Sequence, residues 1–197
     1  PPRDPSPAGW AYVHEGEALG VDTAYKCRVR EPWWRVPGQP VADLLVTYMN
    51  AASVALCTNE AGARHLNSVH GLFLGEQARE IPTPVLALSA LNSVTALGSE
   101  LVGRAYGGGI LKVEPREAVQ LPVPSLDLVR EAQGELTELV PAARRLLRGG
   151  DLHAARAAVD TVLVAHGMVT PSQLEEVRRA HRQLAERRMT RGRTRRG

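Results

Sequence analysis

The stretch "YKCRVREPWWRVPG", Tyr25–Gly38, sets Lys26, Arg28, Arg30 and Arg35 around adjacent Trp33 and Trp34, in a chain with only 4% aromatic residues. Guanidinium groups fork onto phosphate oxygens or onto the major-groove edge of guanine, and tryptophan supplies a flat apolar face for stacking or wedging. The chemistry offered is nucleic-acid contact. The competing reading is a solvated strand face with one ring in the core. The alternation in "AYKCRVR" predicts a strand, and neighbours on a strand point to opposite faces, so one of Trp33 and Trp34 is expected inside.

A second group lies in "NEAGARHLNSVHG", Asn59–Gly71. Asparagine pairs bidentately with adenine, and histidine donates to bases or phosphates. Asn67, Ser68 and His70 are therefore candidate base-edge readers on a hairpin, or residues that cap their own turn. Cys57, His65 and His70 make three possible metal ligands at irregular spacing, a weak zinc signal. The third group is "RAYGGGILK". It lacks the Gly-Lys-Ser/Thr ending of a phosphate loop and precedes a strand rather than a helix. It reads as a tight turn that lets a phosphate backbone approach Arg104, Tyr106 and Lys112, or as a plain structural turn.

No G-x-S-x-G, H-E-x-x-H or C-x-x-C occurs, so the chain shows no catalytic constellation of its own. Glu175, Glu176 and Glu186 beside arginines read as surface pairs. Net charge is +3 over 197 residues, but nine arginines and one acid lie beyond position 177. A basic end on a mildly acidic body points to a polyanion. Two cysteines, Cys27 and Cys57, fit a reducing cytoplasm rather than a disulfide framework. No apolar run is long enough for a membrane helix. The chain starts with Pro-Pro rather than Met and reads as cut from something longer.

These groups need elements to hold them. Residues 1–9 read as a Pro-rich linker. "DLLVTYM", "SVALCT" and "NSVHGLFL" read as strands, with "NEAGA" turning between the last two. One helix is expected from Thr83 to about Gly103, capped by Thr83 before Pro84, with Ala87, Leu91, Val94, Leu97 and Leu101 on its apolar face. After it come a glycine turn, a short strand, one helical turn and a proline exit. Beyond Pro124 only helices are expected: one with Leu136, Leu139, Val140, Ala143, Leu146 and Leu147 on its apolar face, closed by Gly149-Gly150. Asp151 caps the next, and Thr170-Pro171 with Gln173 opens the last as a capping box. The expected architecture is α+β: a small mixed sheet with a packed helix over 10–124, a helical appendage over 125–188, and a basic flexible tail over 189–197.

"YKCRVREPWWRVP", "DLLVTYMNAA", "TNEAGARHLNSVHG" and "LNSVTALGSELVGRAYGGGILKVEPREAVQLPVP", in that order, resemble the C-terminal target-recognition region of bacterial N6-adenine-specific DNA methyltransferases, the Eco57I-like class. The resemblance covers about residues 10–124, and the helical remainder is similar to the segment C-terminal to that region in some members. It implies a domain that holds double-stranded DNA while a separate catalytic domain, in cis or in trans, binds S-adenosylmethionine and flips the target adenine. The Asn/Asp-Pro-Pro-Tyr/Phe motif and glycine-rich cofactor motif of that catalytic domain are missing here. The resemblance therefore implies no bound cofactor in this chain and no methylation by it alone. It favours DNA contact by Arg28, Arg30, Trp33, Trp34 and Arg35. The rival expectation is a non-catalytic interaction subunit that binds nucleic acid without sequence preference through its arginine-rich end.

Overall fold

The computed structural model describes residues 4–35, 38 and 40–194, with side chains through Arg191. By internal contact the chain divides into two compact units, 1–40 and 41–197.

In the first unit Ser6 accepts a hydrogen bond from the Gly9 N–H at 3.2 Å and, with Pro7 at the first helical position, opens helix α1, Pro7–Ala18. Residues 7–9 are thus helix rather than linker. A 3₁₀ turn, Val21–Thr23, leads to a single helical turn α2, Tyr25–Arg28. This replaces the strand expected there. No described strand lies alongside to complete a ladder, and the N–H groups of Cys27 and Arg28 turn back to the Ala24 carbonyl instead. The apolar residues of the alternation gain no sheet face to cover them: Tyr25 and Val29 are exposed.

The second unit is α+β, with two three-stranded antiparallel sheets. Strands β1 (Leu44–Thr47), β3 (Leu56–Thr58) and β4 (Val69–Leu72) form one, in the order β3-β1-β4. Strands β2 (Met49–Asn50), β5 (Arg104–Tyr106) and β6 (Ile110–Lys112) form the other, in the order β2-β6-β5. β3 and β4 do not make a hairpin; both pair with β1, so Cys57 and Gly71 flank Leu45 from opposite sides. Tyr48 sits where the chain leaves one sheet for the other, and its carbonyl accepts from the Val113 N–H at 3.0 Å.

Helix α3 (Glu76–Arg79) precedes α4 (Thr83–Ser89) and α5 (Ser93–Val102). The single helix expected over 83–103 is these two, bent by 70°. Asn92 causes the break: buried, it accepts from the Thr95 N–H at 2.8 Å while its amide donates to the Ser89 carbonyl at 2.7 Å. The expected apolar face is also displaced. Leu101 is 67% exposed, whereas α5 buries Ser93, Thr95, Ala96, Gly98 and Ser99, small residues that admit close neighbours. Thr83 makes no capping bond; the helix starts at it rather than after it.

Helices α6 (Pro115–Ala118), α7 (Leu126–Glu131), α8 (Gln133–Arg148), α9 (Leu152–Ala165) and α10 (Pro171–Thr194) complete the unit. The Asp151 cap forms, accepting from the Ala154 N–H at 2.9 Å. So does the Thr170/Gln173 capping box, at 2.9 and 3.2 Å. The helices after residue 125 are not a separate body: Val129, Leu136, Ala143, Val159 and Leu163 share one buried cluster with Leu44 of β1 and Val85 and Leu88 of α4. A smaller cluster, Val46, Val54, Leu111 and Val113, joins the two sheets. Among the described residues no single helix is long and apolar enough to cross a membrane, and the bent pair α4–α5 is largely buried.

The expected flexible tail from 189 is helical through Thr194. Arg188, 5% exposed, anchors it: its guanidinium meets Glu100 of α5 at 2.7 Å and donates to the carbonyls of Ala52, at 3.1 Å, and Gly109. Gly109 holds φ +80°, and a Cβ there would lie 3.1 Å from the Cα of Met189. The glycine turn therefore lets a helix, α10, come close on that side.

Candidate nucleic-acid interface

The expected contact residues fall in three places. Arg28, Arg30, Trp33, Trp34 and Arg35 belong to the first unit. Trp33 and Trp34 do not diverge as strand neighbours would; both turn back onto α1. The Trp33 indole donates to Glu17 at 3.1 Å and crosses Gly16, where a Cβ would stand 2.8 Å from the ring. Trp34 packs edge-on to Trp10 at 5.8 Å, and the Arg35 guanidinium lies over it at 5.4 Å. Arg28 is exposed and Arg30 half-buried, on turns rather than a strand.

Asn67 and Ser68 are exposed on the turn just before β4. At the start of this loop Asn59 caps its own turn, accepting from the Ala63 N–H at 2.8 Å and donating to the carbonyls of Ala63 and Ala42. Among the described residues no three His, Cys, Asp or Glu side chains gather as metal ligands.

His70, Arg104, Tyr106 and Lys112 come together. His70 leaves β4 toward the second sheet, donating through Nε2 to the Val113 carbonyl at 2.8 Å with its ring edge-on to Tyr48 at 5.1 Å. Lys112 Nζ lies over the rings of Tyr48 and Tyr106, at 5.2 and 5.4 Å, an arrangement that holds a cation without burying it. Its charge partner is Glu114 at 2.7 Å, which also accepts from the Tyr48 hydroxyl at 3.1 Å. Arg104 meets Glu117. The Glu114 carboxyl is held below the usual range, chiefly by its bond to Lys112, while Lys112 is pushed up by the same bond. Glu117 serves twice, since its other oxygen accepts from the Glu114 N–H at 2.8 Å as half of a capping box on α6.

Tyr48, Glu114 and Glu117 are site residues that sequence reasoning did not single out. The box residues Glu114 and Glu117, three apart around Pro115, were the available signal. Tyr48 carried none, because its place depends on the change of sheet. The result is a polar, aromatic-lined surface whose two cations each hold a carboxylate. Both pairs are half-buried at the surface, with only the Arg104 side chain largely exposed. A phosphate oxygen offers Lys112 and Arg104 the same charge-assisted bond.

The glycines of 107–109 lead into β6 rather than a helix, and α10 covers Gly109.

A family model described as "Type II methyltransferase M.Eco57I, C-terminal domain" matches residues 3–164. The chain belongs to this family. Among curated proteins it is similar to the Type II methyltransferase M.XamI of Xanthomonas campestris pv. amaranthicola, 35% identical over 121 residues, 60% of this chain and 21% of that protein. It is also similar to the Type II methyltransferase M.AccI of Acinetobacter calcoaceticus, 26% identical over 108 residues, 54% of this chain and 20% of that protein. The chain thus spans about a fifth of the length of each relative. No solved structure matches.

Proposed function

We propose that this chain is the DNA target-recognition portion of a site-specific adenine-N6 methyltransferase in a restriction-modification or phage-defence system, acting in the cytoplasm. The observation that carries the reading is the convergence of His70, Tyr48, Arg104, Tyr106 and Lys112 on one surface of a chain that belongs to a methyltransferase C-terminal family. Lys112 and Arg104 release Glu114 and Glu117 and take backbone phosphates, which fixes the register of the duplex. Asn67 and Ser68, exposed beside this surface at the head of β4, test base edges. Arg28, Arg30 and Arg35 add backbone contacts from the first unit. S-adenosylmethionine supplies the methyl group in the catalytic domain, which also holds the flipped adenine; the residues here position DNA and carry out no transfer.

Binding-site selection from a randomised duplex pool at physiological salt tests the reading. Enrichment of one short motif is expected, and Lys112→Gln should weaken all sequences alike and lower the salt slope by about 1. Binding without enrichment would favour the arginine-rich helix as a non-specific contact. Arg179, Arg182, Arg187 and Arg191 are exposed on α10 and support that second reading. Deleting 187–197 would remove the buried Arg188 as well, so the discriminating change is Arg187→Gln with Arg191→Gln. Loss of all binding in that variant, with no motif enriched by the parent, would overturn the recognition role.

A further inference from the structure

Away from that surface, a cavity of about 70 Å³ opens among α5, α9 and α10. Arg156, Asp160, Arg178 and His181 line its interior, with His153 and Arg182 exposed at its mouth. Its charges do not balance. Asp160, fully buried, is already engaged by the Ser93 N–H at 2.8 Å, the Ser93 hydroxyl at 2.6 Å and Arg178 at 2.9 Å. Among the described residues Arg156 donates to the neutral Ser53 hydroxyl alone, at 2.7 Å, and feels the Asp160 charge without a hydrogen bond to it. Arg182 has no carboxylate partner among the described residues.

Among the described residues two buried nitrogens of this lining have no hydrogen-bond partner, Arg156 Nε, a donor, and His181 Nε2, a donor in one tautomer of the ring and an acceptor in the other. Native proteins pair nearly all such groups, because a lone buried donor costs about 1–3 kcal/mol. Burial, with the Arg156 charge beside it, pushes the His181 imidazole below its usual value, and burial pushes Arg156 down as well. Positive charge is in excess here. The space holds about two waters, at roughly 30 Å³ each. It equally suits one tetrahedral oxyanion and is too small for a nucleobase.

We propose that this cavity binds a phosphate group, whose oxygens accept from the Arg156 and Arg182 guanidiniums and from His181 in its Nε2–H tautomer. Arginine's fixed fork matches a tetrahedral oxyanion, and partial burial strengthens each bond. The group is either inorganic phosphate or a backbone phosphodiester; the chemistry of the pocket is common to both. The inference stands apart from the reading of the Lys112 surface.

Inorganic phosphate is titrated into the intact chain against chloride of matched ionic strength, following the melting temperature and the ³¹P linewidth. A saturable rise in melting temperature and ³¹P broadening, with chloride giving neither, is expected. Arg182→Gln, at the exposed mouth where folding is not at risk, should weaken phosphate about 10–100-fold, the loss of one charge-assisted bond. Arg145→Gln, equal in charge and exposed on α8, should change nothing. If the natural ligand is a backbone phosphodiester, saturating phosphate also displaces a duplex oligonucleotide and Arg182→Gln weakens the duplex. If it is free phosphate, duplex binding is indifferent to both. Identical behaviour in phosphate and chloride, or equal effects of the two substitutions, would overturn the proposal. Because the phosphate titration needs no DNA, its failure is distinct from failure of the recognition reading.

Discussion

The two units of this chain use their side chains in opposite ways. Residues 1–40 hold five of the eight aromatic residues, including all three tryptophans. Yet Val13 is the one buried hydrophobic residue among those described there, and Tyr12 is 78% exposed. Its order comes from rings packed on one helix and a few polar bonds. The second unit has three aromatic residues and a core of Leu, Val and Ala spread over β1 and four helices, locked by two ion pairs whose carboxylates are buried, Arg188–Glu100 and Arg178–Asp160. A dense run of arginine and tryptophan attracts attention in a sequence, but here the rings satisfy one another locally. The richest convergence of cation, aromatic and carboxylate is instead built from residues scattered between positions 48 and 117.

That contrast can be broken most sharply in the second unit. Arg188→Met leaves Glu100 buried without its charge partner and should cost roughly 3–5 kcal/mol. Urea unfolding monitored by far-UV circular dichroism reads this loss. Because all tryptophans lie in the first unit, the fluorescence transition should move much less; a common shift in both signals would show that the units unfold as one. Asn67→Ala tests the surface beside the Lys112 cluster and should relax preference at one base pair by about 1–3 kcal/mol. An unchanged selection profile would remove Asn67 from the reading set. Trp33→Ala should lower only the urea midpoint of the fluorescence transition, since its ring packs on Gly16 and Glu17 within the first unit.

The smallest effect is the dependence on acidity of the second unit. His181 is held below its ordinary value, first by burial and then by Arg156, so the folded chain keeps it neutral where the unfolded chain takes up a proton. Stability from this site is full above the unfolded value of about 6.5 and falls as pH drops from there toward the depressed folded value. Denaturation midpoints from about pH 7.5 to 5 should show that decline, and His181→Gln should flatten it.

Several local structures were legible because their causes are local. Asp151 and the pair Thr170/Gln173 cap helices through bonds three residues long, and the strand segments around Leu45, Cys57 and Gly71 arise from apolar runs between turn residues. The same local logic misled between Tyr25 and Arg30, where a short alternation resembles a strand but no described strand pairs with it. It also missed Asn92, whose side chain breaks a continuous apolar stretch by competing for backbone groups.

By itself the sequence determined the family of the chain, its α+β class and the helical character of most of the stretch after residue 125. Short-range hydrogen bonding and apolar periodicity suffice where an element's cause is local, and ordered motifs suffice for a family. Only the tertiary structure decided which charges are spent and which remain. Arg188 reads as one more tail arginine until Glu100, 88 positions earlier, is found against it. Lys112, Tyr48 and His70 become neighbours only where the chain passes from one sheet to the other. Such pairings arise from long-range packing, whose partners no local pattern records.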